Sequence, residues 1–279
     1  MTRHAARAFG VAAALLLLLQ AAAIGAEPVC PTPPSLLSIA PTLSYVAAKL
    51  AKGGQLTILA MGSSSTEGVG ASNPAAAYPS RLESELRQRL PGVDIRVINR
   101  GKGGEDAPEE LVRLERDVVT DDPDLVIWQI GTNAALRRLD LGMERDVLRR
   151  GIGVIKQSAA DVVLMDLQYA PRVLASPAHP AMVRLIAEVA ERNRVGLFRR
   201  FEIMRQWLSA APADAASSDA KPAISADGLH MTDRSYACLA GWLAEAIVRN
   251  WRQYQAEHRS AARFAGLHGA SEPDVRQRP

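Results

Sequence analysis

Ser64, Asp227 and His230 supply an alcohol, a carboxylate and an imidazole, which together can carry out nucleophilic catalysis at a carbonyl carbon. A serine hydroxyl is a weak nucleophile until a neighbouring base removes its proton. An imidazole titrates near neutral pH, so it can accept that proton and return it to a leaving group. Asp227 lies three residues before His230, and a turn of that length lets the carboxylate hold the ring in one tautomer.

The tetrahedral intermediate of such a reaction carries a negatively charged oxygen that needs hydrogen-bond donors. The candidate donors are the backbone N–H groups of Ser64 and Gly104 and the side-chain amide of Asn133. Each donor of this kind stabilises a transition state by about 3 to 4 kcal/mol, and glycine suits a tight loop whose N–H must face the substrate. The alternative is purely structural, because Asp227, Asn133 and Gly104 are all common residue types in turns.

The nucleophile and the base each have a rival in the sequence. Ser64 lies in a run of three serines before a predicted helix, so it could instead cap that helix, and Ser63 and Ser65 are alternative nucleophiles. The spacing from Gly62 favours Ser64. His179 is the other histidine in the middle of the chain, but it lies between two prolines without a neighbouring carboxylate. We therefore expect His230 to be the base.

Buried strands that alternate with amphipathic helices are the elements that must bring these residues together. Short apolar runs predict strands at 56–61, 95–98, 125–130, 162–167 and, more weakly, 196–200. Helices are predicted at 36–52, 78–90, 111–118, 148–155, 182–189 and 236–248. This alternation implies a mostly parallel sheet covered on both faces. The predicted fold is α/β, a three-layer α/β/α sandwich with a flavodoxin-like sheet of about five strands.

The candidate residues follow the ends of the predicted strands. In open α/β sheets, ligands bind outside the carboxyl ends of the strands. Residues 62–68 follow the first strand, 99–106 the second and 131–133 the third, while 227–232 precede the last helix. We therefore expect these segments to meet at one edge of the sheet.

These segments read, in order, Gly-x-Ser-x-Thr, Asn-x-Gly-x-x-Gly, Gly-Thr-Asn and Asp-x-x-His, and together they resemble the four motifs of the SGNH (GDSL-like) hydrolases. The match covers residues 55–250. The resemblance implies a serine esterase that needs no cofactor and no metal. It aligns Ser64 with the nucleophile, Asp227 and His230 with the rest of the triad, and Gly104 and Asn133 with oxyanion-hole donors.

The sequence departs from the family pattern next to the nucleophile. Ser63 stands where the family usually has Asp, and Ser65 replaces a common Leu. Ala134 stands after Asn133, where Asp is frequent. None of these changes removes a reacting group, but Ser63 leaves open which neighbour fixes the nucleophile loop.

The first 26 residues have the pattern of a secretory signal peptide: a positively charged start, an apolar run over 11–19 and small residues before Glu27. An uncleaved anchor is the alternative, although the apolar run is too short to span a bilayer. We therefore expect a periplasmic or secreted protein without stable membrane insertion after cleavage. The predicted domains are a linker and helix over 27–54, a catalytic domain over 55–251 and a polar tail over 252–279 that is expected to fray from residue 256, with a surface loop over 210–222.

The charge and the cysteine content limit which partners and which compartment are expected. The formal charge is +3, and removal of the predicted signal peptide leaves a nearly neutral chain. The sequence has no basic stripe with interleaved aromatic residues, so nucleic acid is not an expected partner. The expected partner is a small ester or an acylated carbohydrate; an O-acyltransferase and a non-catalytic glycan-binding module stay open, as does the oligomeric state. Cys30 and Cys238 could form a disulfide in an oxidising compartment or remain free and buried.

Overall fold

The computed structural model describes residues 30–210 and 222–268 and contains a parallel sheet of five strands in the order β2-β1-β3-β4-β5. The strands are β1 Gln55–Gly62, β2 Asp94–Gly101, β3 Leu125–Gln129, β4 Asp161–Met165 and β5 Gly196–Phe198. The predicted α/β class and flavodoxin-like strand order are confirmed. The predicted signal peptide and the centre of the predicted loop near 210–222 lie outside the described residues.

Helices cover both faces of the sheet. They are α1 Ser44–Lys52, α2 Ser64–Glu67, α3 Tyr78–Arg89, α4 Ala107–Asp121, α5 Thr132–Arg137, α6 Leu141–Gln157, α7 Pro171–Leu174, α8 His179–Asn193, α9 Arg200–Ala210 and α10 Asp233–His268. Side chains of β1 point alternately to the two faces of the sheet. Leu56 and Ile58 enter one hydrophobic core, and Leu59 and Met61 enter a second core on the other face. The first core holds α1, α3, α9 and α10, and the second holds α4 to α8. β1 is therefore buried on both faces, which explains its continuous apolar sequence.

Two predicted boundaries are wrong. The helix predicted over 36–52 is a short 3-10 turn, Pro34–Leu37, followed by α1, which begins only at Ser44. Pro41 lies between them and has no N–H to donate to a helix. The predicted polar tail over 252–279, expected to fray from residue 256, overlaps α10, which continues to His268. Side chains spaced four residues apart bond along it, as Gln253 does with Glu257 at 2.9 Å.

A disulfide joins Cys30 to Cys238. The sequence left open whether these cysteines are bonded or free, and in the structure they are bonded. The Cα atoms are 5.6 Å apart, and the bond ties the start of the described chain to α10. The Trp242 indole N–H also donates to the Cys30 carbonyl at 3.0 Å. Cross-linking residues so far apart in sequence stabilises the fold by restricting the unfolded chain. Across residues 30–210 and 222–268, no helix is both long and apolar enough to cross a membrane.

Glu110 of α4 is a buried carboxyl that should make folding stability depend on pH. It accepts a hydrogen bond from the Trp128 indole N–H at 2.6 Å. Burial raises the pKa of Glu110 from 4.5 to about 8, although the Trp128 bond and the charge of Arg113 act in the opposite direction. The folded protein therefore keeps a proton that the unfolded chain releases. As a result, the free energy of unfolding should fall as the pH rises between these two values.

Glu110→Gln should remove this pH dependence, because a glutamine still accepts the Trp128 N–H but never ionises. We expect the Tm of the variant to exceed that of the wild type at about pH 8 and to match it at about pH 4, a difference worth a few kcal/mol at most. Glu115→Gln, an exposed change on the same helix, is the matched control. Thermal unfolding at both pH values measures the effect. A Tm difference that is the same at both would show that Glu110 is ionised in the folded protein.

Candidate active site

Ser64 begins α2 immediately after β1, the strand that pairs with both β2 and β3. In a parallel sheet of this order, β1 and β3 flank the point where the strand order reverses, which is where ligands bind. Gly62 makes the sharp exit from β1 with φ +155°, and a Cβ there would lie 2.4 Å from Thr66 Oγ1. The partly exposed Ser64 hydroxyl lies 3.0 Å from Nε2 of His230, 166 residues further along the chain.

Asp227 holds the other side of the His230 ring. One carboxylate oxygen contacts His230 Nδ1, and the other accepts from the Ser225 hydroxyl at 2.6 Å and from the Leu229 N–H at 2.9 Å. Burial acts to raise the pKa of Asp227, but hydrogen bonds from Ser225, His230 and Leu229 lower it well below its usual range. The carboxylate therefore stays ionised and favours the tautomer with a proton on Nδ1. That tautomer leaves the lone pair of Nε2 facing Ser64.

The three predicted oxyanion donors lie at the same edge of the sheet, Ser64 and Asn133 in the first turns of α2 and α5 and Gly104 on the loop after β2. Gly104 follows β2 with φ +84°, a left-handed conformation that favours glycine. In the part of the chain that the structure describes, the backbone N–H groups of Ser64 and Gly104 have no hydrogen-bond acceptor. A Cβ on Gly103 would lie 3.8 Å from Ser64 Cβ, so this loop lies directly against the nucleophile. The Asn133 side-chain amide donates one hydrogen bond, at 2.6 Å, to the Glu105 carbonyl.

The rival residues have other partners. Ser63 is buried, and both its N–H and its hydroxyl donate to Gln129 Oε1, at 3.2 and 3.3 Å. Ser65 is also buried, at 1% exposure. The His179 ring bonds through Nδ1 to the Ser176 carbonyl at 2.8 Å and stacks on a phenylalanine. Of the three consecutive serines, Ser64 is the one whose hydroxyl contacts a histidine among the described residues.

Gln129, at the end of β3, fixes the nucleophile loop. Its Oε1 accepts from Ser63, as described above, and from the Thr66 hydroxyl at 3.2 Å. These bonds span the residue before Ser64 and the residue two places after it. Gln129 was not identified from the sequence. A single polar residue at the end of a buried apolar strand does indicate such a role, because a buried amide needs hydrogen-bond partners. It supplies the loop support that Ser63, in place of the usual Asp, left unidentified.

A buried polar network beneath the site links the start of α5, which carries Asn133, to the segment that carries His230. The Arg200 guanidinium, 0% exposed, donates to Gln168 Oε1 at 2.9 Å, and the Thr132 hydroxyl donates to the same oxygen at 2.8 Å. Because arginine can only donate, the Gln168 amide nitrogen must point the other way, toward the Leu229 carbonyl at 3.5 Å. Burial lowers the pKa of Arg200 to about 10. Thr132 and Leu229 each directly precede a predicted site residue.

Within residues 30–210 and 222–268, there is no group of three or more His, Cys, Asp or Glu side chains that could hold a metal ion.

Comparison with known proteins identifies a family that covers most of the chain and a curated relative that matches part of it. The sequence model of the non-GDSL lipase-like family matches residues 29–253. An arylesterase from Vibrio mimicus is 33% identical over 95 residues, which are 34% of this chain and 46% of that protein. The chain thus matches a little under half the length of this relative.

Solved structures share the fold. The crystal structure of TesA superposes with a TM-score of 0.57 at 21% identity and covers 70% of this chain and 99% of that one. A two-domain esterase (CEX) active on acetylated mannans gives a TM-score of 0.59 at 19% identity, over 75% of this chain and 53% of that one. At these identities the similarity establishes a common architecture.

Proposed function

The chain belongs to the non-GDSL lipase-like family, and on that premise we propose that it is a serine ester hydrolase with Ser64 as nucleophile. The observation that carries the proposal is the 3.0 Å distance between Ser64 Oγ and His230 Nε2, with Asp227 on the far side of the ring. An alcohol, a base and an orienting carboxylate in this arrangement are the requirements for activating a serine. The esterase relative from Vibrio mimicus agrees with this chemistry.

The first half of the proposed reaction forms an acyl-enzyme. Ser64 Oγ attacks the ester carbonyl carbon while its proton passes to His230 Nε2, and Asp227 stabilises the imidazolium. The oxyanion accepts hydrogen bonds from the N–H groups of Ser64 and Gly104 and from the free amide hydrogen of Asn133. The intermediate collapses when the C–O bond to the alcohol breaks. The leaving oxygen takes the proton from Nε2, and the acyl group remains on Ser64.

The second half releases the acyl group to an acceptor. Water gives its proton to His230 Nε2 as it attacks the acyl carbon, and Ser64 Oγ leaves as a hydroxyl. A sugar hydroxyl in place of water would make the same site an O-acyltransferase. Turnover of p-nitrophenyl acetate in the presence of an oligosaccharide separates the two: a hydrolase yields acetate alone, whereas a transferase yields acetylated sugar.

The proposed substrates are small acyl esters, in particular O-acetyl groups of carbohydrate or of cell-envelope polymer. Two observations support this choice. The Cys30–Cys238 disulfide suits an oxidising compartment such as the periplasm or the exterior, in line with the proposed signal peptide over residues 1–26. The two-domain esterase with the same fold acts on acetylated mannans. Accordingly, acetyl esters should be turned over faster than long-chain esters.

The purified protein should hydrolyse p-nitrophenyl acetate with a kcat/KM that rises as the pH is raised and then levels off. The rise reflects one group, since a general base accepts the Ser64 proton only when it is neutral. Asp227 contributes no step near neutral pH, because its lowered pKa keeps it ionised there. Initial rates across a pH series measure the profile. A rate that is independent of pH would exclude His230 as the base, and no turnover of any ester, with retained binding of acetylated glycan, would instead favour a binding module.

A further inference from the structure

The loop that carries Gly104 is held on one side by Glu67, the last residue of α2. Glu67 Oε2 accepts the Gly103 N–H at 2.8 Å. A Cβ on Gly103 would lie 2.6 Å from that oxygen, so a side chain there would have to displace the Glu67 carboxylate. A Cβ on Gly101 would meet the Glu67 backbone nitrogen at 2.0 Å. The Gly101–Gly104 loop is thus fitted against the same short helix that begins with Ser64.

Arg137, the last residue of α5, holds the other side of the loop. Its guanidinium donates to the Gly104 carbonyl at 2.6 Å through Nη2 and to Asp106 Oδ2 at 2.6 Å through Nη1. The next carbonyl, that of Glu105, accepts from the Asn133 amide as described above. The Gly103–Gly104 peptide thus lies between two backbone groups bonded to charged side chains: the Gly103 N–H donates to Glu67, and the Gly104 carbonyl accepts from Arg137.

These two bonds determine where the Gly104 N–H points. Two consecutive glycines have unusually wide backbone freedom. Packing does not restrict Gly104, because a Cβ there would meet nothing within 4 Å. Fixing the Gly103 N–H and the Gly104 carbonyl restricts the peptide between them. Its N–H, which has no acceptor among the described residues, then keeps a fixed direction.

We propose that Glu67 and Arg137 are positioning residues that hold the Gly104 N–H ready for the oxyanion, an inference that rests on the function proposed above. A preorganised donor stabilises charge that develops in the transition state, so its loss lowers kcat more than it raises KM. The hydrogen bond that Glu67 accepts from the Gly103 N–H is the part of this contact that positions the loop. Its negative charge opposes an oxyanion nearby, so a neutral acceptor should serve at least as well.

Glu67→Ala is expected to lower kcat for p-nitrophenyl acetate about 10-fold at an unchanged KM, since a loosened donor is misplaced when the oxyanion forms. Glu67→Gln should recover activity to within about 3-fold of the wild type, because its amide oxygen can accept the Gly103 N–H. Arg137→Ala should act like Glu67→Ala. The exposed neighbours Glu115→Ala and Arg138→Ala are matched controls that remove a charge of the same sign. All four positions are exposed, so the variants should fold.

Unchanged kcat in Glu67→Ala, or a Glu67→Gln variant as slow as Glu67→Ala, would overturn the positioning role; in the second case the charge of Glu67 would be the important feature. If the wild type turns over no ester, the function proposed above fails, and the loop is judged separately by NMR. Faster exchange of the Gly103 amide and a lower order parameter for the Gly104 N–H in Glu67→Ala than in Glu115→Ala would still support the positioning role. Identical values in the two variants would overturn it.

Discussion

Ser64→Ala should reduce kcat for p-nitrophenyl acetate by about 10⁴- to 10⁶-fold and leave the fold intact. The loss is large because the variant retains the oxyanion donors but has no atom that can form an acyl-enzyme. The fold should persist because the Ser64 hydroxyl is partly exposed and bonds to His230 rather than to the core. Steady-state kinetics measure the loss of activity, and circular dichroism with thermal unfolding measures the fold.

Ser65→Ala is the matched control for this experiment. It removes the same hydroxyl group one residue away, from a side chain that is buried rather than directed at His230. We expect its activity to stay close to that of the wild type. If Ser64→Ala retained activity, or if Ser65→Ala lost as much, the assignment of the nucleophile to Ser64 would be wrong.

Asp227→Asn should lower kcat by about 10³- to 10⁴-fold with little change in KM. The asparagine oxygen can still accept from Ser225, Leu229 and the His230 N–H, so the turn should keep its shape. Its amide nitrogen would then face His230 Nδ1 and donate to it. That bond favours the tautomer with a proton on Nε2, which cannot accept the proton of Ser64.

Ser225→Ala separates tautomer control from simple loss of a hydrogen bond. It removes one donor to Asp227 but leaves the contact between the carboxylate and the ring. We expect a decrease in kcat of no more than about 10-fold, as a single neighbouring bond is lost. A decrease as large as that of Asp227→Asn would show that the geometry of the turn, rather than the tautomer, limits the reaction.

The elements that could be predicted from the sequence are those whose signal is local. The central strands β1, β3 and β4 are apolar runs because they are buried on both faces, and the site segments follow strand ends because the sheet is parallel. The two errors in the predicted boundaries have local causes. Pro41 interrupts the helix predicted over 36–52, and pairs of side chains four residues apart extend α10 beyond the predicted start of the tail.

The supporting residues of the site could not be predicted, because their partners are distant in sequence and follow no period. Gln129 bonds to the Ser63 amide 66 residues away, and Arg137 bonds to the Gly104 carbonyl 33 residues away. The motif pattern indicated which residues could react. It contained no information on how the loops between them are fixed, which depends on side-chain contacts made only after the sheet has formed.

Labelling with a fluorophosphonate, followed by peptide mapping, tests the activated serine most directly. The reagent forms a stable adduct with a serine only where a base has activated its hydroxyl. We expect a single adduct on Ser64 in the wild type, and none in Ser64→Ala or in a wild type first denatured. An adduct on Ser63 or Ser65, or no adduct at all on the folded protein, would contradict the proposed mechanism.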